Sequence, residues 1–128
     1  MTKNILIVED DEFFRSLLSE KFSSEGFTVA KTVNGKEGIE KIKEIKPDLV
    51  LLDLLLPDVD GVNFDGFKVL SSLKEDSATS SIPVIILSNL GQQEDIEKGV
   101  KLGAVDFLIK SQFDPDEIVQ KVKKILEK

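Results

Sequence analysis

Short apolar runs rich in β-branched residues recur along this chain, and each is followed by a stretch with apolar residues at helical spacing. The first run is Ile5-Leu6-Ile7-Val8, with acids directly after it. Uninterrupted runs of this length suit strands buried on both faces of a parallel sheet. From Asp11 to Ser24, the residues Phe13, Phe14, Leu17, Leu18 and Phe22 predict an amphipathic helix ending near Gly26. Phe27-Thr28-Val29-Ala30 reads as a second strand. Gly35 to Ile45 reads as a helix with Ile39, Ile42 and Ile45 on one face, stopped by Pro47. Leu49-Val50-Leu51-Leu52 is the third run and ends at Asp53. A helix is predicted over Phe67 to Glu75, and a fourth strand over Val84-Ile85-Ile86-Leu87, ending at Ser88. Gln92 to Leu102 reads as a helix closed by Gly103. Val105 to Ile109 reads as a fifth strand, ending at Lys110. Asp116 to Leu126 completes the series, with Asp114 as N-cap and Pro115 in the first turn.

Strands alternating with helices imply an α/β fold, a parallel sheet with helices on both faces. Val59 to Phe67 carries Asp-Gly twice and reads as an extended loop in which Asp60 and Asp65 form turns. No linker or second domain is evident, so residues 1–128 are taken as a single domain.

The polar residues at the strand ends carry the chemistry. Strand one ends in Glu9 and Asp10, strand three in Asp53, strand four in Ser88 and strand five in Lys110. In open α/β sheets, ligands bind outside the carboxyl ends of the strands, at the switch point in strand order. With the order 2-1-3-4-5, that point lies between strands one and three, and Glu9, Asp10 and Asp53 face one crevice. Converging carboxylates repel by roughly 4 kcal/mol per pair at about 4 Å and an effective dielectric near 20. A hard cation relieves this, and oxygen ligands favour Mg²⁺. Mg²⁺ with a phosphate, Lys110 as a counter-charge and Ser88 as a hydrogen-bond donor describes a phosphoryl-transfer site, with aspartate as acceptor. Asp11 is expected to cap the first helix instead.

Composition narrows the alternatives. There are no cysteines and no histidines, which removes disulfides, thiolate metal sites and Ser-His-Asp chemistry. The formal charge of −7 makes direct nucleic-acid binding a poor fit. No stretch reaches the ~18 apolar residues of a membrane span, and no signal peptide is recognisable. The expectation is a cytoplasmic protein.

These residues, in this order, resemble the receiver domain of two-component response regulators, from Ile5 to Leu126. The matched pieces are Val8-Glu9-Asp10-Asp11, Asp48 through Pro57 with Asp60-Gly61, Pro83 through Ser88, and Asp106 through Lys110. The resemblance implies a doubly wound (βα)5 flavodoxin-like three-layer sandwich. It implies that Asp53 accepts phosphate from a histidine kinase or phosphotransfer protein. Mg²⁺ would be bound by Asp10, Asp53 and the Leu55 carbonyl, with Glu9 reaching it through water. Ser88 and Phe107 would follow the phosphate and alter the surface of helix four, strand five and helix five for a downstream protein. The chain would be a monomer or a phosphorylation-dependent dimer, and not an enzyme beyond its own aspartyl chemistry.

The sequence departs from the family at Ser111, where proline is usual after the lysine, and at Asn89, where a small residue is usual. Phe107 stands where tyrosine is common, and the doubled Asp-Gly lengthens the loop after strand three. Leu55 and Leu90 are apolar where side chains tune hydrolysis, so slow self-dephosphorylation is expected. A haloacid-dehalogenase-type phosphatase would need Asp-x-Asp on strand one, and a flavodoxin a hydroxyl-rich loop there; Val-Glu-Asp-Asp fits neither. The alternative is a pseudo-receiver acting as a phosphate-independent interaction module.

Overall fold

The computed structural model describes Thr2 to Glu127. Five parallel strands, β1 (Asn4–Val8), β2 (Thr28–Thr32), β3 (Leu49–Leu52), β4 (Val84–Ser88) and β5 (Asp106–Ile109), form one sheet in the order β2-β1-β3-β4-β5. Helices α1 (Glu12–Ser24), α2 (Gly35–Ile45), α3 (Gly66–Glu75), α4 (Gln93–Lys101) and α5 (Pro115–Leu126) connect and cover them. The fold is the doubly wound sandwich expected, with the switch point between β1 and β3.

The alternation of side chains along each strand makes the two cores. Ile5 and Ile7 of β1 face one layer, where they meet Leu18 and Phe22 of α1 and Ile118, Val119 and Val122 of α5. Leu6 and Val8 face the other, against Ile42 of α2 and Val69, Leu70 and Leu73 of α3. Both faces of β1, β3 and β4 are buried, which explains why these strands read as unbroken apolar runs.

Three features differ from the sequence reading for tertiary reasons: one strand end, the buried face of one helix and the form of one loop. Strand β2 runs to Thr32, past the expected Ala30, because β1 pairs with it through Val8↔Thr32. Helix α1 buries Leu18 and Phe22, while Phe13 and Leu17 lie largely in solvent, 78% and 38% exposed. Half-buried Phe14 extends that inward stripe by one turn. The loop after β3 is not simply extended. Val59 and Val62 exchange two backbone hydrogen bonds of 2.9 Å, closing a two-residue hairpin. Its central residues, Asp60 and Gly61, have φ of 52° and 77°, as a type I′ turn requires.

The two Asp-Gly pairs therefore do different work. Asp60-Gly61 makes the hairpin turn. Asp65 caps α3 by accepting the Lys68 N–H at 2.9 Å. Gly66 starts that helix directly on the backbone of the site: a Cβ there would lie 2.3 Å from the Asp53 carbonyl oxygen. A side chain at Gly66 would have to push β3 or α3 away.

Candidate functional site

The strand ends converge because the strands are in register. The Asp53 N–H donates to the Val8 carbonyl at 3.1 Å, and the Glu9 N–H donates to the Thr32 carbonyl at 3.0 Å. Ladder bonds thus continue one residue beyond β1 and β3 and hold both acids at the crevice. One carboxylate oxygen each from Glu9, Asp10 and Asp53 lies within 4.8 Å of the others. Glu9 and Asp53 are buried, at 3% and 5% exposure, whereas Asp10 is open to solvent.

Lys110 enters from the end of β5, at the start of a short 3₁₀ turn (Lys110–Gln112). Its Nζ lies 2.5 Å from Glu9 Oε1 and 3.0 Å from Asp53 Oδ2. One ammonium therefore bridges the two buried carboxylates. With Ser111 following it, Lys110 still reaches the crevice, and the described peptide bonds are all trans.

Burial raises the Glu9 carboxyl from its ordinary 4.5 to about 7, and the charge of Asp53 adds to the effect, against the hydrogen bond from Lys110. For Lys110, burial opposes the charged form. The hydrogen bond to Glu9 and the charge of Asp53 outweigh it, holding the ammonium above its ordinary range. The cluster carries more negative charge than one lysine can balance.

The remaining predicted residues take distinct places. The Leu55 N–H donates to Asp53 Oδ1 at 3.2 Å, so its backbone touches Asp53 while the residue is 56% exposed. Ser88 is fully buried at the end of β4, and its hydroxyl accepts the Leu90 N–H at 3.3 Å. Phe107 is half-buried in the layer of α2, α3 and α4, and its ring neighbours Gly99. Asp11 caps α1 through the Phe14 N–H, as expected.

Two contributors escaped the sequence reading. Arg15, the chain's one arginine, donates from Nη1 to the Glu9 carbonyl at 2.9 Å and ties α1 to the acid loop. Its position one turn after Asp11 was the available signal. Phe14 reads as a core residue, yet its ring also lies under the Lys110 ammonium, with 4.7 Å from Nζ to centroid.

Hard oxygen donors converging on a shared crevice fit a small divalent cation. The donors on hand are Glu9, Asp10, Asp53 and backbone carbonyls; Mg²⁺ matches them in charge and hardness.

A doubly wound sheet with acids at its switch point and a lysine directly after its fifth strand is the architecture of a receiver-type domain. Residues 5–123 match the family model described as the response regulator receiver domain, and the chain belongs to that family. It is 34% identical over 126 residues to the chemotaxis protein CheY of Thermotoga maritima, covering 98% of both chains. It is 38% identical over 124 residues to the transcriptional regulator RpaA of a Synechocystis species, covering 97% of this chain and 49% of that one. It thus spans nearly all of one relative and about half of the other. Among solved structures, the BeF3-activated DrrB receiver domain superposes with a TM-score of 0.85 at 29% identity, covering 100% of both chains. The receiver domain of Francisella response regulator 1452 gives 0.86 at 28% identity, covering 98% of each.

Proposed function

We propose that this receiver domain is a phosphorylation switch in which Asp53 accepts a phosphoryl group. The observation that carries the reading is the Lys110 ammonium bridging Glu9 and Asp53, with the Asp10 carboxylate converging on the same crevice. In the transfer, an Asp53 carboxylate oxygen attacks phosphorus, a P–O bond forms, and the P–N bond to the donor imidazole breaks. The donor is a phosphohistidine on a sensor kinase or phosphotransfer protein. Asp10, Asp53 and the Leu55 carbonyl would hold Mg²⁺, with Glu9 acting through water, and the bound ion would supply charge neutralisation for the phosphoryl oxygens. Lys110 leaves its contact with Asp53 Oδ2 to meet a phosphoryl oxygen, and the Ser88 hydroxyl donates a hydrogen bond to another.

Phosphorylation replaces one buried carboxylate with a dianionic group and redirects Lys110. The readout is the surface of α4, β5 and α5, with Phe107 between site and surface. A downstream protein in the cytoplasm reads that surface, and the domain needs no direct nucleic-acid contact. No helix of the described residues is long and apolar enough to cross a membrane. The BeF3-activated state of the DrrB neighbour supports the same site use here. Leu55 and Leu90 offer no group to orient a water, so the aspartyl phosphate is long-lived.

The test is incubation with acetyl phosphate and Mg²⁺, followed by intact mass. The parent gains one phosphoryl group and Asp53→Asn gains none. No gain in folded, Mg²⁺-saturated parent sinks the reading and leaves a phosphate-independent interaction module. A phosphoryl lifetime of only seconds would contradict the slow hydrolysis.

A further inference from the structure

Lys110 is the group that must move during the switch, so what steadies it matters. Among the described residues, its ammonium contacts the Glu9 carboxylate, the Asp53 carboxylate and the face of the Phe14 ring. The first two change on phosphorylation. Asp53 becomes a mixed carboxylic–phosphoric anhydride with a different charge, and Glu9 would be engaged by the metal site. The ring changes in neither charge nor place. Phe14 belongs to the α1–α5 layer of the core on one side and offers its ring to Nζ on the other. Its neighbour Phe13 is 78% exposed and makes no such contact. Lys110 reaches the crevice on a four-carbon stem with intrinsically many rotamers. Its side chain is only 12% exposed, so the cation–π contact acts in a partly desolvated place where such contacts are strongest.

We propose that Phe14 is the positioning residue for Lys110, holding the ammonium over the crevice before and after phosphoryl transfer. This rests on the phosphoacceptor reading for its functional consequence, but the contact itself does not.

Two measurements test it separately. The first is a double-mutant cycle on urea unfolding of metal-free protein, using Phe14→Leu and Lys110→Met. Leucine keeps an apolar side chain and removes the ring face. Phe14→Leu lowers the folding equilibrium constant roughly three- to tenfold more in the parent than in the Lys110→Met background. Equal effects in both backgrounds would overturn the proposal, whatever Asp53 does. The second is the rate of phosphorylation by acetyl phosphate at saturating Mg²⁺. Phe14→Leu slows it roughly three- to tenfold, and Phe14→Tyr, which keeps a ring face, restores it to within about twofold of the parent. A purely structural Phe14 would be replaced by leucine at least as well as by tyrosine, and that result, or an unchanged rate in Phe14→Leu, defeats the positioning role. If the parent takes no phosphate at all, the phosphoacceptor reading falls and the unfolding cycle alone decides whether Phe14 steadies Lys110.

Discussion

Helices α4 and α5 pack beside the same strand on opposite faces, yet they are anchored by different means. Leu108 of β5 joins the layer of Ile118, Val119 and Val122 from α5. Phe107, one residue earlier, joins the layer bordered by Leu90 and Leu102. Helix α5 begins with a capping box between Asp114 and Glu117, followed by Pro115 at its first turn. Helix α4 begins at Gln92 with no side-chain cap, and Gly99 is its buried residue. Gly99 lets α4 approach closely, since a Cβ would lie 2.7 Å from Ile86 Cδ1 and 3.2 Å from the Phe107 ring. Close approach without an apolar side chain gives contact but little hydrophobic anchoring. Val100 points outward at 56% exposure. An ammonium from Lys98 over the Phe67 ring, at 4.3 Å, tethers α4 to α3. The contrast teaches that the two helices flanking β5 are held differently, α5 by buried apolar side chains and a capping box, α4 by a buried glycine and a lysine–aromatic contact. A signal at Lys110 would move α4 more readily than α5.

The largest effect expected from this contrast is on the anchor side. Ile118→Ala in α5 destabilises the protein by about 2–5 kcal/mol in urea unfolding, whereas Val100→Ala in α4 stays within about 0.5 kcal/mol. Similar losses at both positions would remove the distinction.

The next test uses pH. The folded-state Glu9 carboxyl titrates near 7, above its ordinary 4.5, because burial disfavours its charged form. The folded state therefore holds this proton more tightly than the unfolded chain. Its stabilising contribution is fully present below about pH 4.5 and is lost as pH rises through about 7, amounting to up to about 3 kcal/mol. Glu9→Gln flattens that dependence in metal-free protein. Amide exchange, corrected for its intrinsic pH dependence, then separates the helices. Protection in α5 follows the change because it opens with the whole fold, while α4 opens locally, exchanges at least roughly tenfold faster and does not follow it. A shared pH dependence would show that the two helices open together.

Smaller effects come from the caps. Asp114→Ala costs about 1 kcal/mol by removing the capping box of α5. Gln92→Asp adds about 0.5–1 kcal/mol of protection to α4, because Gln92 already has the extended backbone of an N-cap and lacks the short acceptor. If Gln92→Asp leaves α4 exchange unchanged, its mobility does not come from the missing cap.

Much of this molecule is legible before folding is considered. The apolar runs Ile5–Val8, Leu49–Leu52 and Val84–Leu87 announce buried parallel strands, because both faces of each are covered. Helical periodicity places α2 and α5 closely, since their buried faces follow local spacing. The acids after β1 and β3 and the lysine after β5 are chemically distinctive at positions where ligands bind such sheets. That is enough to propose the crevice and its acceptor.

Tertiary structure decided what depends on residues distant in the chain. Strand β2 ends at Thr32 because β1 is there to pair with it. Phe13 and Phe14 are adjacent and chemically identical; helical spacing puts Phe14 on the Leu18–Phe22 stripe, and the closed fold brings Lys110 over its ring while Phe13 stays in solvent. The two Asp-Gly pairs look alike in sequence, but Gly66 lies on the Asp53 backbone while Gly61 turns a free hairpin. In sequence, Glu9 reads as a crevice acid beside Asp10 that reaches a metal through water. Burial and an ammonium arriving from residue 110 make it the partner of Lys110 and raise its affinity for a proton. Local sequence determines backbone preference and chemical inventory, because these act over a few residues. Burial, pairing and charge coupling are set by neighbours that only the closed fold brings within a few ångströms.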